Sequence, residues 1–323
     1  MTDDDTALLA TAPRSTPGVT DLDALSEAGR KVLRFHLRRL RARVAEVRRG
    51  EDPEAVHDAR VATRRLRAAW QVFDMGARDR SARSFEPDLR RLGRRLGAVR
   101  DLDVLLASAV AYQRGLPEPE ASALHSMLTT WSAERASARD RLHHVLVSRR
   151  YRRFVADFRN WLRDEPRTES TPGAAFRVRH RVTSRAWDAY EPVWAFEGRL
   201  EAADLVTLHC LRIAAKHLRY TLEAFREVLP GADALLAAVA ALQNHLGALH
   251  DADVASARAR AYTASRFGSL AGAERAAVEA FITSRERIVA GQRASLAAPW
   301  SAVAAPRFRD TLRRALAAKD EAI

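Results

Sequence analysis

The chain has 323 residues, of which 47% are hydrophobic and 29% are charged, and this composition is typical of a globular protein rather than a disordered one. Its 54 basic and 41 acidic side chains give a formal net charge of +13, which favours a polyanionic partner. One cysteine, Cys210, excludes a disulfide framework, and the sequence lacks the run of about 18 apolar residues that would predict a membrane span. The acidic start at residues 1–5 is unlike a signal peptide, so we expect a cytoplasmic protein.

Helical periodicity runs through most of the chain. Residues 1–20 contain Asp, Thr, Ser and Pro without periodicity and predict a flexible N-terminal tail. From about residue 21, apolar residues recur at helical spacing and no alternating strand pattern occurs, so the predicted fold class is all-α. Turn residues divide 21–163 into four helices and 174–318 into four more, and the segment 164–173 is predicted to be the linker between these halves.

Two motifs occur once in each half, in the same order. Residues 57–67 align without a gap with residues 209–219, at an offset of 152. Residues 92–103 align with residues 242–253, at an offset of 150. We therefore predict an internal repeat in which two four-helix bundles are related by a pseudo-two-fold axis.

The first motif places its cations on one face of a helix. At about 100° per residue, Arg60, Arg64 and Arg67 lie within about 80° of His57, whereas Leu66 lies on the opposite, core-facing side. Like charges at this spacing destabilise an isolated helix, and the planar fork of arginine suits phosphate oxygens, so the pattern favours a bound anion. The second motif presents the matching residues His209, Arg212, Lys216 and Arg219.

Two explanations without a ligand remain open for these cations. The chain has 51 arginines and only 3 lysines, and a GC-rich genome would raise the arginine content without a functional cause. The motif helices would also be stable as solvated basic faces. Their ion-pair partners would then be Asp101, Asp103, Asp251 and Asp253.

The motifs resemble those of the CHAD family of α-helical domains. The resemblance rests on residues 57–67 and 209–220, and on the Leu-Gly pairs at 96–97 and 246–247 with the aspartates that follow them. It covers about residues 21–318. It implies one CHAD-like domain of two bundles that face each other across a basic groove or pore. It also implies non-catalytic binding of inorganic polyphosphate, with attachment to polyphosphate granules as one role and with no cofactor. The binding residues it implies are His57, Arg60, Arg64, Arg67, His209, Arg212, Lys216 and Arg219.

Further residues near the motifs or on flanking helices are expected to make secondary contacts with polyphosphate. The second half departs from the first at His250, which stands where the first half has Arg100, and we expect phosphate to be held less strongly there. The secondary residues are Arg34, Arg38, Arg41, Arg65, Arg94, Arg95, Arg100, Arg152, Arg153, His217, Tyr220, His245, Arg307 and Arg309.

Three other functions fit parts of the sequence. General polyanion or RNA/DNA binding fits the charge, but aromatic residues are only 7% and lie at core spacing, so we expect weak, non-specific nucleic-acid binding. A phosphohydrolase or kinase would need a phosphate-binding glycine loop or an acidic cluster for magnesium, and the sequence shows neither, so we expect no enzyme. No metal site is predicted, because the histidines lack ligand spacing and His57 and His209 lie among cations.

Overall fold

Helices make up most of the protein that the structure, a computed structural model, describes. The described residues are 16–50, 54–78, 81–164, 176–266 and 268–317. Among them, extended backbone pairing is limited to one antiparallel bridge between Ala24 and Arg177. The predicted all-α class is confirmed. The predicted linker after Asp164, and the predicted tail up to residue 15, lie outside the described residues.

Eleven helices of eight residues or more, together with five shorter helical segments, account for most of this part of the chain. The first half contains α1 (Leu25–Arg49), α2 (Ala55–Val72), α3 (Glu86–Gln113), α4 (His125–Val147) and α5 (Arg149–Arg163). The second half contains α6 (Val182–Trp194), α7 (Leu205–Ala224), α8 (Ala232–Ser265), α9 (Gly272–Ala294), α10 (Ala297–Ala304) and α11 (Pro306–Ala317). Shorter helical segments lie at Met75–Arg78, Ser81–Phe85, Glu118–Ala123, Val178–His180 and Arg226–Val228. Each half therefore has more helices than the four predicted, because separate shorter helices follow α4 and α9.

Local signals set the boundaries that position the two motif helices. α1 ends at Gly50, which has a φ of 76° and donates its N–H to the carbonyl oxygen of Glu46 at 3.0 Å. Glycine takes this left-handed conformation without strain, which lets the chain turn back so that α2 packs on α1. Asp204 caps the N-terminus of α7, because its Oδ1 accepts a hydrogen bond from the Thr207 N–H at 2.7 Å.

Consecutive long helices pack against each other in the same order in both halves. α1 packs on α2, α2 on α3 and α3 on α4, and likewise α6 packs on α7, α7 on α8 and α8 on α9. Between the halves, α2 packs on α7 and α3 on α8. Phe73 and Phe225, which are 152 positions apart, meet edge to face with ring centroids 5.2 Å apart. A pseudo-two-fold axis would produce such a contact, and the axis itself stays a prediction.

The buried apolar residues form two clusters, and each cluster draws on both halves of the chain. The larger cluster includes Leu92 and Leu96 of α3 with Leu242 and Leu246 of α8. α3 and α8, at 28 and 34 residues, are long enough for their C-terminal parts to build the second cluster as well. That second cluster contains Leu105, Ala109, Leu124, Met127, Trp131, Ala255, Ala259, Tyr262, Ala277, Val278 and Phe281. The predicted arrangement of one bundle per half stays a prediction, and the described core is shared between the halves.

The two faces of α2 lie as the helical periodicity predicts. Leu66 and Phe73 are fully buried, and Ala69 is 2% exposed. Arg60 and Arg64 on the other side of the helix are half-buried, and Arg67 is exposed. Burial of the apolar face therefore fixes the rotation of α2 and turns its cations away from the core.

α8 is, by length and composition alone, apolar enough to cross a membrane, and it is the one described helix of which this is true. Its residues Leu235, Val239 and Leu242 are buried in the larger apolar cluster. Packing against its neighbours therefore accounts for the apolar composition of this helix.

Candidate functional site

The cationic faces of α2 and α7 meet where the two helices pack together. Lys216 of α7 lies within electrostatic range of Arg212 on its own helix and of Arg60, Arg64 and Arg67 on α2. Burial, and then the guanidinium groups of these four arginines, lower the pKa of Lys216 to about 8. We call these five residues the cationic cluster.

A tyrosine from the second half holds Arg64 in the cationic cluster. The Arg64 Nε donates a hydrogen bond to the Tyr220 hydroxyl, and its guanidinium carbon lies 5.5 Å from the centroid of the Tyr220 ring. Burial raises the pKa of the Tyr220 phenol above its ordinary value, so the hydroxyl stays neutral at physiological pH. Arg64 is therefore positioned by a partner that leaves its positive charge uncompensated.

Arg60 occupies space that a glycine leaves free on α3. Its Nη2 lies 3.2 Å from Oδ1 of Asp101, one turn beyond Gly97. A Cβ atom at position 97 would lie 2.3 Å from the Arg60 Nη1, which is closer than such atoms approach. Gly97 therefore allows Arg60 to pack against α3 while it reaches Asp101.

An acidic pair borders the cationic cluster. Asp101 and Asp251 occupy matching positions of the two motifs, and each lies within electrostatic range of Arg212 and of the other. Partial desolvation by the surrounding protein raises the pKa of Asp251, and Asp101 raises it further, whereas Arg212 opposes the shift. The sequence left open that these aspartates are ion-pair partners of the motif arginines. The structure shows one such pair, between Asp101 and Arg60.

Glu223 binds two arginines that the sequence assigned to the ligand. Its Oε2 accepts a hydrogen bond from the Arg65 Nε and its Oε1 accepts one from the Arg219 Nε, both at 2.9 Å. Arg219 also donates to Oε1 of Gln243 at 3.2 Å. Arg65 therefore joins the two halves through its ion pair with Glu223, whereas Arg219 pairs with the same carboxylate within α7.

The motif histidines lie in different surroundings. His57 is half-buried on α2, one turn before Arg60, whereas His209 is exposed on α7 with its ring centroid 5.3 Å from that of His250 on α8. Burial, and then Arg212, lower the pKa of His250, so the uncharged ring is favoured at neutral pH. A pocket of about 230 Å³ lies between α7 and α8. Its lining residues are Leu205, Val206, Leu208, His209, Arg212, Leu246, Leu249, His250 and Asp253.

The side chains around this pocket suit an anion better than a metal ion in the part of the chain that the structure describes. Nowhere in those residues do three or more His, Cys, Asp or Glu side chains come together in a group that could hold a metal ion. His209, His250 and Arg212 instead offer ring nitrogens and a guanidinium group, which are donors for an anion.

Some of the secondary residues lie close to the cationic cluster. Arg94 lies near Arg67 and lowers its pKa, after the larger effect of burial. Arg100 lies 3.9 Å from Glu54 and within electrostatic range of Asp251. Arg95 is half-buried on the same helix.

The other secondary residues have contacts elsewhere. On α1, Arg34 pairs with Glu27, Arg38 is exposed, and Arg41 lies near Tyr151 of α5. Arg152 and Arg153 are exposed on α5. Arg307 and Arg309 lie on α11. Arg309 stacks over the Trp194 ring at 5.2 Å, and the Nε2 of His245 lies 2.6 Å from the carbonyl oxygen of Gln292. Burial, and then Arg185, lower the pKa of His217. None of the contacts described for these groups joins them to the cationic cluster.

Two residues near the candidate site were not predicted. After burial, Arg90 lowers the pKa of Arg67. Arg90 lies four residues before Arg94, so a helical wheel places both arginines on the same face of α3. Glu223 follows Arg219 by four residues, which predicts that local pair. Its second pair, with Arg65, joins the two halves and has no signal in local sequence spacing.

A family model and a solved structure identify the same family for this chain. Residues 31–260 match the family model for the CHAD domain. The crystal structure of the CHAD domain from the plant Ricinus communis is similar, with 27% sequence identity, a TM-score of 0.69 and coverage of 93% of this chain and 96% of that chain. PptA from Streptomyces chartreusis shares the fold, with 17% identity, a TM-score of 0.65 and coverage of 85% and 98%. The curated proteins contain no match to this sequence.

Proposed function

Because the chain belongs to the CHAD domain family, which is associated with polyphosphate, we propose that it binds inorganic polyphosphate through the cationic cluster. The motif histidines His57 and His209 border the cluster in this proposal and donate hydrogen bonds to the phosphate chain. Binding proceeds without catalysis, and its cellular role is attachment to polyphosphate in the cytoplasm.

Uncompensated charge is the observation that carries the proposal. Among the described residues, Arg60 is the one member of the cationic cluster with a carboxylate oxygen within 4.0 Å. The lowered pKa of Lys216 reflects the same excess, because burial and four guanidinium groups disfavour a further positive charge. Arg64, Arg212 and Lys216 are half-buried without a carboxylate of the described residues within 4.0 Å, which is costly, and a polyanion reduces that cost by supplying negative charge.

The binding energy in this proposal comes largely from electrostatics. A polyphosphate chain carries closely spaced negative charges and therefore condenses counterions, as nucleic acids do. Each cation that contacts a phosphate releases counterions, so the affinity falls steeply as salt rises. Arginine adds paired hydrogen bonds to phosphate oxygens, which a diffuse basic surface does not provide.

The double variant Arg60→Ala with Arg212→Ala tests the proposal. One guanidinium is removed from each motif helix, so we expect a large loss of polyphosphate affinity, with the salt dependence of log K reduced by about 2. Fluorescence titration with long-chain polyphosphate at several salt concentrations measures both quantities, and circular dichroism checks that the helices remain. Orthophosphate release is assayed in the same samples, and we expect none.

A matched control removes two arginines outside the candidate site. Arg258 and Arg260 on α8 pair with Glu134 and Glu286, and their double change to alanine lowers the net charge by the same amount. We expect this control to bind almost as the unchanged protein does. Equal losses in both variants would show that net charge, not the cluster, determines affinity. Tighter binding of single-stranded RNA than of polyphosphate of equal charge would replace the proposal with general nucleic-acid binding.

A further inference from the structure

Lys216 differs from the four arginines of the cationic cluster in its chemistry. The chain has 3 lysines: Lys31 is paired with Asp23 at 2.8 Å, Lys319 lies outside the described residues, and Lys216 is the remaining one. In the described part of the chain, the Lys216 Nζ has neither a hydrogen-bond partner nor an ion-pair partner. Its amine is half-buried among Arg60, Arg64 and Arg212. A guanidinium cannot lose its proton in a protein, whereas an amine can, and only the neutral amine is a nucleophile.

Burial, and then the surrounding arginines, favour the neutral amine of Lys216. With a pKa of about 8, about a tenth of the Lys216 side chains are neutral at pH 7, against about 0.04% for an ordinary lysine. The same arginines attract phosphate groups, which their planar forks bind through paired hydrogen bonds. The cationic cluster therefore holds a nucleophile and a phosphate-binding group side by side.

From this arrangement we infer that Lys216 is a site of covalent acylation by small acyl phosphates. The arginines bind the phosphate end of the reagent, which places its carbonyl carbon beside the Nζ. The neutral amine attacks that carbon, a C–N bond forms, and the C–O bond to phosphate breaks. The phosphate leaves with the bonding electron pair and takes up the proton that the nitrogen loses, so the products are an amide and hydrogen phosphate.

Acylation would also control ligand binding, and this consequence rests on the proposed function. The amide has no charge and cannot regain it, so the cationic cluster falls from five positive groups to four. Each lost phosphate contact reduces a binding constant that depends on charge. A higher concentration of acyl phosphate would acylate a larger fraction of the protein and thereby lower its affinity for polyphosphate.

Acetyl phosphate, incubated with the full chain at pH 7, tests the inference by peptide mass spectrometry of each lysine. The gain in neutral amine exceeds the loss in nucleophilicity that a lower pKa brings, so we expect Lys216 to react about tenfold faster than Lys31. An uncharged acetyl ester serves as the matched reagent, and we expect its preference for Lys216 to be several-fold smaller. Inorganic pyrophosphate should slow the reaction at Lys216 and leave Lys31 unaffected.

Two results would overturn the inference. One is acetylation of Lys216 no faster than Lys31 by acetyl phosphate. The other is an equal preference for Lys216 with the charged and the uncharged reagent, because the arginines would then not recruit the phosphate.

A separate titration measures the consequence for binding. Polyphosphate affinity is compared before and after acetylation, in the unchanged protein and in Lys216→Arg, which has no amine at this position. We expect a several-fold loss in the unchanged protein and no change on treatment of the variant. If untreated protein fails to bind polyphosphate, the proposed function is wrong, while the mapping of acetylated lysines still decides the inference.

Discussion

Gly97 shows how one missing side chain shapes the cationic cluster. Arg60 crosses from α2 to α3 through the space above this glycine and reaches Asp101. The atom that a Cβ would meet is the end of a flexible side chain, so the arginine would move rather than the helices. The effect of a side chain at position 97 should therefore appear in binding more than in stability.

The change Gly97→Ala separates these two effects, with Gly93→Ala as its control. A Cβ at position 93 would lie 3.6 Å from Arg67 Nη1, which is an ordinary contact. Both changes favour the helix by about 0.5–1 kcal/mol, and we expect denaturant unfolding to show this gain at position 93. Gly97→Ala should gain less and bind polyphosphate several-fold more weakly. Equal affinities in the two variants would mean that the placement of Arg60 is not required.

Lys216 gives the proposed binding of polyphosphate a specific dependence on pH. Burial and the four arginines lower its pKa to about 8, and a bound polyanion favours the protonated amine, so its pKa rises on binding. Affinity should therefore be highest below pH 8 and fall as the pH rises from 7 to 9, because the free protein has then lost the proton. Titrations across this range measure the trend. Lys216→Arg should bind with little change between pH 7 and 9, and a parallel fall in that variant would assign the trend to another group.

At the scale of the helix, neighbouring residues of α2 have separable roles. Leu66 is fully buried, whereas the adjacent Arg67 is exposed on the cationic side. The helical repeat of about 100° per residue turns consecutive side chains to different faces, so one position contributes to the core and the next to the proposed polyphosphate-binding face.

The pair Leu66→Ala and Arg67→Ala tests this division. Leu66→Ala leaves a cavity and should cost about 3 kcal/mol in unfolding free energy, while binding at low temperature is retained. Arg67→Ala should change the unfolding free energy by about 0.5 kcal/mol or less and lower polyphosphate affinity. Thermal melts and titrations on both variants provide the measurements. A large loss of stability in Arg67→Ala would show that this arginine is structural.

The sequence predicts single helices better than the contacts between them. Helical periodicity identified the buried and cationic faces of α2, because burial of one face is a local property of the pattern. The pairs Arg65–Glu223 and His209–His250 depend on the distance between helices, which a helical wheel does not contain. The assignment of Arg219 to the ligand stays a prediction, and the structure adds that its guanidinium pairs with Glu223 four residues later on the same helix.

At the scale of the whole molecule, the two apolar clusters make the halves depend on each other. Residues 105 and 109 of α3 are buried in the same cluster as residues 255 and 259 of α8. An isolated half would expose these surfaces, and the loss of buried apolar area would reduce its stability.

Residues 21–163 expressed alone, and residues 174–318 expressed alone, test this dependence. We expect each half to bind a hydrophobic dye and to unfold without a sharp transition, and we expect their mixture to regain a cooperative transition. Thermal unfolding followed by circular dichroism distinguishes the cases. A sharp transition without dye binding in each separate half would instead support one complete bundle per half.

The second apolar cluster also has a consequence for the growing chain on the ribosome. Met127 and Trp131 are made early, but their partner Phe281 is added about 150 residues later. At a synthesis rate of about 5–20 residues per second, this interval lasts about 8–30 s. During that time the nascent chain presents an uncovered apolar surface, and chaperones that bind such surfaces should engage it before release.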